Sequence, residues 1–309
     1  MITLTQLEYI VAVEKHQNFG LAAKSCHISQ PTLSMQIQKL EDHLGVVIFD
    51  RSAQPIQPTP LGQRILEQSR IVLSESAKIT ELIHEEKERI EGDLHLAVIP
   101  TLAPYVLPLF LKAFGAQYPG IRLRVEERRT EDILAGLKKN QIDVGLLVTP
   151  LDEPLIRELP LFQEPFYVYA AAQSPLAQQR EISERDLAGE HLLLLSEGHC
   201  MREQTLRVCK GRAQRSSNLQ FESGSIETLC HLVEKGHGYT MIPHLAKEWL
   251  QGRSGRIVPF SAPSPSREVS LVVHQSFIRN SVLAALDACI RESLPPELGL
   301  NTGQRIPIH

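Results

Sequence analysis

The chain has 309 residues, 42% hydrophobic and 22% charged, with 18 Gly, 20 Pro, five Cys and one Trp. That composition excludes disorder, collagen-like repeats and a disulfide scaffold, and the length points to two or three domains rather than one core. The net charge of −4 gives no global sign of a polyanionic partner. No basic leader precedes Glu8, and the longest uncharged run, residues 96–111, carries Pro100, Pro104 and Pro108 and is too short to span a bilayer, which needs roughly 20 residues. A soluble, cytoplasmic protein without a membrane partner is expected, with Cys26, Cys200, Cys209, Cys230 and Cys289 as thiols by default.

Residues 1–58 read as three short helices and a small hairpin. Thr3 and Gln6 form a capping box for a first helix that carries Leu7, Ile10, Val11 and Ala12. Asn18 caps a second helix over residues 21–26. Ser29 is a good N-cap for a third, with Pro31 in its first turn and Gly45 at its end. Leu33, Ile37, Leu40 and Leu44 put one apolar stripe on this third helix. The opposite face carries Pro31, Met35, Gln38 and Asp42, flanked by Thr32, Ser34 and Lys39. Such a small, polar surface suits a helix that reads base edges in a major groove. Residues 46–49 and a return from Ile56 predict a hairpin, with Arg51 at its tip placed to enter a minor groove. Charge does not favour that reading. Lys15, Lys24, Lys39 and Arg51 face Glu8, Glu14, Glu41, Asp42 and Asp50, so on pattern alone a small helical interaction domain competes equally with a DNA-binding one.

From Thr59 to Ile90 a single long helix is expected, capped by Thr59 with Pro60 in its first turn. Leu61, Ile65, Val72, Ile79 and Ile83 recur near heptad spacing among charged residues, which favours a dimer seam over a core helix. After Gly92 the pattern alternates. Strands are predicted at 94–99, 121–127, 142–148, 166–172, 191–195, 219–223, 239–242, 257–260 and 269–274, with helices between most of them and a closing helix over 281–294. This is an α/β domain whose sheet is expected to be largely parallel. Residues 296–309 read as a tail.

Residues 192–210 read LLLLSEGHCMREQTLRVCK. Cys200 opens a predicted helix, where the partial positive charge of the N-terminus lowers a thiol pKa. Cys209 stands at the far end of the same helix, so the two Cα atoms are about 13 Å apart. A disulfide needs them within about 7 Å, and the pair can bond only if the helix unravels. Thr101 and Thr130, like Cys200, follow strands at their carboxyl ends, where open α/β sheets bind ligands. Two hydroxyls, the His199 imidazole and a thiol suit a ligand as small as a peroxide. The residues alone leave other readings open. Both thiols can be core packing. A zinc site from His191, His199, Cys200 and Cys209 lacks the usual spacing. Gly236–Tyr239, G-H-G-Y, is a helix-to-strand turn too short for a phosphate loop.

The run LEYIVAVEKHQNFGLAAKSCHISQPTLSMQIQKLEDHLGVVIFDR, followed by TPLG at 59–62, resembles the winged helix-turn-helix of LysR-type transcriptional regulators. The resemblance implies double-stranded DNA as a partner. It places Ser29, Gln30, Pro31, Thr32, Ser34 and Gln38 at the DNA and Arg51 in the wing. Many relatives carry a basic residue where Gln38 stands, which implies weaker phosphate attraction per subunit, compensated by several subunits acting on one long site.

The stretches HLAVIPTLAPYVLP, PLFQEP, DLAGEHLLLLSEGHCMREQTLRVC, SIETLCHLVEKGHGYTMIP and SREVSLVV are similar to the OxyR-type hydrogen-peroxide sensors of that family. In that subgroup the residue at Cys200 is the peroxidatic thiol and the one at Cys209 the resolving thiol. Thr101, Thr130, His199 and Arg267 then bind and polarise hydrogen peroxide. The implied fold is a winged helix-turn-helix over 1–58, a linker and dimerisation helix over 59–91, and a periplasmic-binding-protein-like α/β regulatory domain over 92–295. Subdomain I of that domain is 93–163 with 268–295, and subdomain II is 164–267. Implied too are a homotetramer of two dimers, contact with RNA polymerase, action as an activator in oxidative stress and resetting by thiol reductants. No cofactor or metal is implied, and the sensor is not a turnover enzyme. Two rivals stand beside this reading. One is a LysR-type regulator with a small organic effector and inert cysteines, against which the spacing of the cysteine pair argues. The other is a thiol peroxidase with a helical appendage, against which the recognition helix argues.

Overall fold

The computed structural model describes residues 1–86, 90–188, 190–209, 223–299 and 304–305. The chain forms two units. The first contains α1 (Leu4–His16), α2 (Phe19–Ser25), α3 (Gln30–Leu44), β1 (Phe49–Asp50), β2 (Gln57–Pro58) and α4 (Pro60–Glu86). Local capping chemistry sets its helix ends. The Thr3–Gln6 capping box is complete, the Asn18 side chain accepts from the Leu21 N–H, Ser29 accepts from the Thr32 N–H, and Gly45 closes α3 at φ +68°. Thr59 Oγ1 accepts from the Gly62 N–H at 2.9 Å and so caps α4. Ile10, Val13, Leu33, Ile37, Leu40, Phe49 and Leu66 make up the centre of this unit's core.

The hairpin is shorter than predicted. Only Phe49–Asp50 and Gln57–Pro58 pair, because the Ile48 and Phe49 N–H groups donate to Glu41 Oε1, at 2.7 and 3.3 Å, instead of to a strand. The predicted long helix ends at Glu86; Ile90 is not helical, and the residues between 86 and 90 lie outside the described ones.

The second unit contains β3 (Gly92–Val98), α5 (Ala103–Gln117), β4 (Ile121–Glu127), α6 (Thr130–Lys138), β5 (Val144–Thr149), β6 (Ile156–Ala171), α7 (Cys200–Cys209), α8 (Ile226–Glu234), β7 (Tyr239–Pro243), α9 (Ala246–Trp249), β8 (Gly255–Pro259), β9 (Pro265–His274), α10 (Asn280–Ser293) and β10 (Gln304–Arg305). One sheet has the order β4-β3-β5-β9-β6. The second half of β6 leaves it and pairs on its two sides with β7 and β8. A single strand therefore belongs to both sheets.

The sheet is mixed, not largely parallel. Parallel pairing needs a crossover, and α5 and α6 supply two of them, joining β3, β4 and β5. β9 instead runs antiparallel to both β5 and β6, and the short β10 lies parallel to β9. Residues 191–195 form isolated bridges, Leu192 to Tyr239 and Leu195 to Ser223, rather than a strand. Of the predicted 219–223 strand, 219–222 lie outside the described residues. The first half of β6 was not predicted. At the point where β6 and β9 part company, Glu164 stands opposite Arg267.

Candidate functional site

Cys200 is the first residue of α7, and the turn before it depends on glycine. Gly198 has φ +84°, and a Cβ there would lie 2.8 Å from Arg129 Nη1. Arg202 Nη1 donates to the Leu195 carbonyl at 2.7 Å and ties the first turn of α7 to the segment before it. Cys200, His199 and Thr130 line one cavity of about 460 Å³. Thr101 and Arg267 do not line it; both are buried.

Arg267 has no exposed surface. Its Nε and Nη2 lie 2.8 and 2.7 Å from Glu164 Oε2, while Nη1 and Nη2 donate to the Thr101 hydroxyl and carbonyl oxygens, each at 3.1 Å. Glu164 Oε1 accepts from the Leu245 N–H at 2.8 Å. Because the Thr101 oxygen accepts from Arg267, its own proton is free to turn to the Cys200 sulfur, whose pKa Thr101 pulls down.

Burial pushes the Cys200 thiol above its ordinary pKa. The Arg267 charge, the N–H groups of Met201 and Cys200, and Thr101 pull it down, but by less. The lowered thiol pKa expected from the helix N-terminus is thus corrected: that pull exists and desolvation outweighs it. Burial and the Arg129 charge hold His199 below its usual pKa, so the imidazole is neutral at pH 7. Since the thiolate is the nucleophile, the rate of peroxide attack at Cys200 is expected to climb about tenfold per pH unit between roughly pH 6 and 8. Loss of the Cys200 thiol under excess peroxide measures it, and a flat profile would show the thiolate already formed.

Cys209 ends α7. It is buried, its Sγ lies 3.5 Å from Tyr239 Oη, and burial raises its pKa too. Both cysteines are free thiols. Ten residues of unbroken helix hold them about 13 Å apart at the backbone. Among the described residues no group of three or more His, Cys, Asp and Glu is placed to hold a metal ion, and no helix is long and apolar enough to cross a membrane.

In the first unit α3 exposes Gln30, Pro31, Thr32 and Gln38, with Ser34 half-buried beside them. The Ser29 hydroxyl is engaged in the cap, 2.7 Å from Thr32 Oγ1. Arg51 does not project from a hairpin tip. It turns back onto α3, with Nη2 2.8 Å from Glu41 Oε2 and Nη1 3.4 Å from Ser34 Oγ, and its guanidinium lies 5.3 Å from the centre of the Phe19 ring. In the chain without DNA the Arg51 side chain lies along α3, between Ser34 and Glu41. The cause is the buried Glu41 carboxylate, which holds the wing backbone and Arg51 together. Glu41→Leu is expected to orphan two amides at about 1–3 kcal/mol each, and to weaken DNA binding as the wing loosens. Urea unfolding and a filter-binding titration check the two effects.

Sequence reasoning missed Glu41, Glu164, Arg129 and Tyr239. The first two act on partners with no characteristic spacing; Glu164 and Arg267 are 103 residues apart. For Tyr239 the G-H-G-Y turn was visible and its thiol partner was not.

Known proteins give the same outline. The LysR substrate binding domain family matches residues 87–295, and the bacterial regulatory helix-turn-helix protein, lysR family, matches residues 4–63. The chain is 36% identical over 272 residues to a hydrogen peroxide-inducible genes activator of Pectobacterium carotovorum subsp. carotovorum, covering 88% of this chain and 90% of that one. It is also 36% identical over 272 residues to the DNA-binding transcriptional dual regulator OxyR of Escherichia coli strain K12, covering 88% and 89%. A full-length OxyR of Pseudomonas aeruginosa with a cysteine-to-aspartate substitution superposes with a TM-score of 0.81 at 36% identity, over 94% and 95% of the two chains. A Corynebacterium glutamicum OxyR mutant with hydrogen peroxide bound gives 0.65 at 28% identity, over 94% and 92%.

Proposed function

The chain belongs to the LysR family of bacterial helix-turn-helix regulators, and we propose that it is a DNA-binding activator that senses hydrogen peroxide through a reversible Cys200–Cys209 disulfide. The observation that carries this reading is the pairing of two free thiols on one helix, the first facing a small cavity with an imidazole beside it and a buried guanidinium behind it. Peroxide enters the cavity. The Cys200 sulfur attacks one oxygen, the S–O bond forms as the O–O bond breaks, and hydroxide leaves to be protonated to water, giving a sulfenic acid. Arg267 and Thr101 stabilise the thiolate from behind, and Thr130 and neutral His199 hold the peroxide oxygens and exchange protons with them. Cys209 then condenses with the sulfenic acid, forming the S–S bond and releasing water. A thiol reductant returns two electrons and resets the protein.

The disulfide unravels α7, and the refolded segment shifts subunit packing and the spacing of the recognition helices on DNA. In this reading α3 contacts DNA through Gln30, Pro31, Thr32, Ser34 and Gln38, with Arg51 at the backbone beside them. α4 pairs two subunits, two dimers form a tetramer, and RNA polymerase is contacted from the bound site. The cytoplasm is where such a regulator works. We assign residues 1–58, 59–91 and 92–295 to DNA reading, linkage and sensing, with 93–163 plus 268–295 and 164–267 as the two halves of the sensor and 296–309 as a tail.

Thiol counting after a brief micromolar peroxide pulse tests the switch. Two thiols are expected to disappear, mapped to Cys200 and Cys209. Cys200→Ser should keep its Cys209 thiol, and Cys209→Ser should lose the Cys200 thiol. If both thiols persist and the DNA footprint does not change, the switch is rejected in favour of an organic effector in the same cavity.

A further inference from the structure

The turn over residues 236–239 has no part in the sensing steps above, yet it is tightly specified. Gly236 and Gly238 have φ of +85° and +119°, and a Cβ on Gly238 would lie 2.2 Å from the His191 carbonyl oxygen. Only glycine lets the chain come this close, and the result is that Tyr239 enters β7 with its N–H donating to His191 O at 2.8 Å. Tyr239 is fully buried and stands opposite Ala170 of β6. A buried phenol needs a partner for its hydroxyl. That hydroxyl meets Cys209 at the far end of α7.

We propose that Tyr239 is a positioning residue that latches the Cys209 thiol in the reduced protein and so sets how long the Cys200 sulfenic acid survives before the disulfide closes. The inference rests on the Cys200–Cys209 switch. In the closing step the Cys209 sulfur attacks the Cys200 sulfur, the S–S bond forms, the S–O bond breaks, and the hydroxyl leaves with the Cys209 proton as water. The oxidant, hydrogen peroxide, has already accepted its two electrons in the first step. For the sulfurs to meet, the end of α7 must leave its place across a gap of about 13 Å. Tyr239 cannot follow, because it is built into the sheet. The contact between Oη and Sγ therefore exists at the start of the step and is gone when the new bond forms. The Tyr239 hydroxyl holds the Cys209 pKa below where burial alone would put it, but the sulfur must leave that contact before it can attack, and an interaction made only in the ground state raises the barrier. The same contact stabilises the dithiol over the disulfide.

The test is Tyr239→Phe in the full-length protein, which keeps the ring and removes the hydroxyl. Peroxide is mixed in, the sulfenic acid is trapped with a dimedone-type reagent at successive times, and the peptides carrying Cys200 and Cys209 are weighed. The disulfide step is expected to run about two- to tenfold faster, the range of one side-chain hydrogen bond, with Cys200 oxidation unchanged. In a Cys209→Ser background the substitution should leave sulfenic acid formation untouched. The reduction potential should fall in step with the change in equilibrium, a tenfold change being about 30 mV. A disulfide that closes at the parental rate, or more slowly, overturns the latch and leaves the switch standing. Equal changes in both steps overturn it as well, since they mark general damage. Failure of the parental protein to form the disulfide overturns the switch and the latch together.

Discussion

Arg267→Met is expected to remove peroxide sensitivity and about 3–5 kcal/mol of stability together, because truncating one partner of a buried ion pair leaves the other uncompensated. The guanidinium is fully buried and makes four contacts of 2.7 to 3.1 Å with Glu164 and Thr101. Without it, Glu164 Oε2 faces the core with no cation, and Thr101 loses the donor that directs its proton to Cys200. The single variant confounds unfolding with chemistry, and Arg267→Met combined with Glu164→Leu separates them. Apolar replacement of a whole buried pair is often neutral or stabilising, so the double variant should regain most of the lost stability. Its Cys200 thiol should still react several-fold more slowly, since the Arg267 charge pulls the thiol pKa down and its loss lowers the thiolate fraction. Urea unfolding followed by circular dichroism and the rate of Cys200 thiol loss give the two numbers. A double variant as reactive as the parent would take Arg267 out of the mechanism.

The second large effect is expected from Ile79→Asp with Ile83→Asp. On α4 the side chains of Ile79, Leu82 and Ile83 are 66%, 56% and 51% exposed, a row of large aliphatics that a lone helix has no reason to carry. Their spacing is that of a seam with a second copy of the helix. Two carboxylates there should dissociate the subunits and halve the mass in sedimentation equilibrium. DNA affinity should fall by two or more orders of magnitude, because two recognition helices joined in one particle bind far more tightly than two separate ones. Oxidation of Cys200 should be unaffected. Unchanged mass and affinity would place the subunit contact elsewhere.

Why these residues and not others were legible in the sequence follows from the range of the forces involved. Thr3, Asn18, Ser29, Gly45 and Thr59 satisfy helix ends three or four residues away, and each is found capping or closing the helix it was read for. The helix from Cys200 to Cys209 was legible for a similar reason: Met201, Arg202, Glu203, Gln204, Leu206 and Arg207 favour that state locally. Strand direction was not legible, because a strand's own pattern does not record whether its neighbour runs parallel. The first half of β6 escaped for another reason. Pro160, Pro165 and the charged Arg157, Glu158 and Glu164 carry no strand pattern, yet β9 pairs along that half and gives the buried Glu164 its partner. Thr130, His199 and Cys200 share the cavity, while Thr101 and Arg267 support Cys200 from beneath. That division into a face and a backing is set by tertiary packing and has no signature in spacing. At Cys200 the N–H groups of the helix start lower the thiol pKa as its position predicts, and desolvation, which leaves no mark in the sequence pattern, exceeds that pull.

The shared strand β6 has a mechanical consequence. Sixteen residues of extended chain, about 50 Å at 3.3 Å each, run from one sheet into the other, with one register shift between Pro160 and Phe162. From Phe162 onward, across the passage between the sheets, no further register shift interrupts the pairing. If the proposed disulfide forms and α7 pulls on one sheet, the displacement would be taken up as extra twist along that stretch, which would act as a torsion bar. Cutting the proposed tether would let the bar unwind, so the return to the resting shape would be driven by the protein's own elasticity.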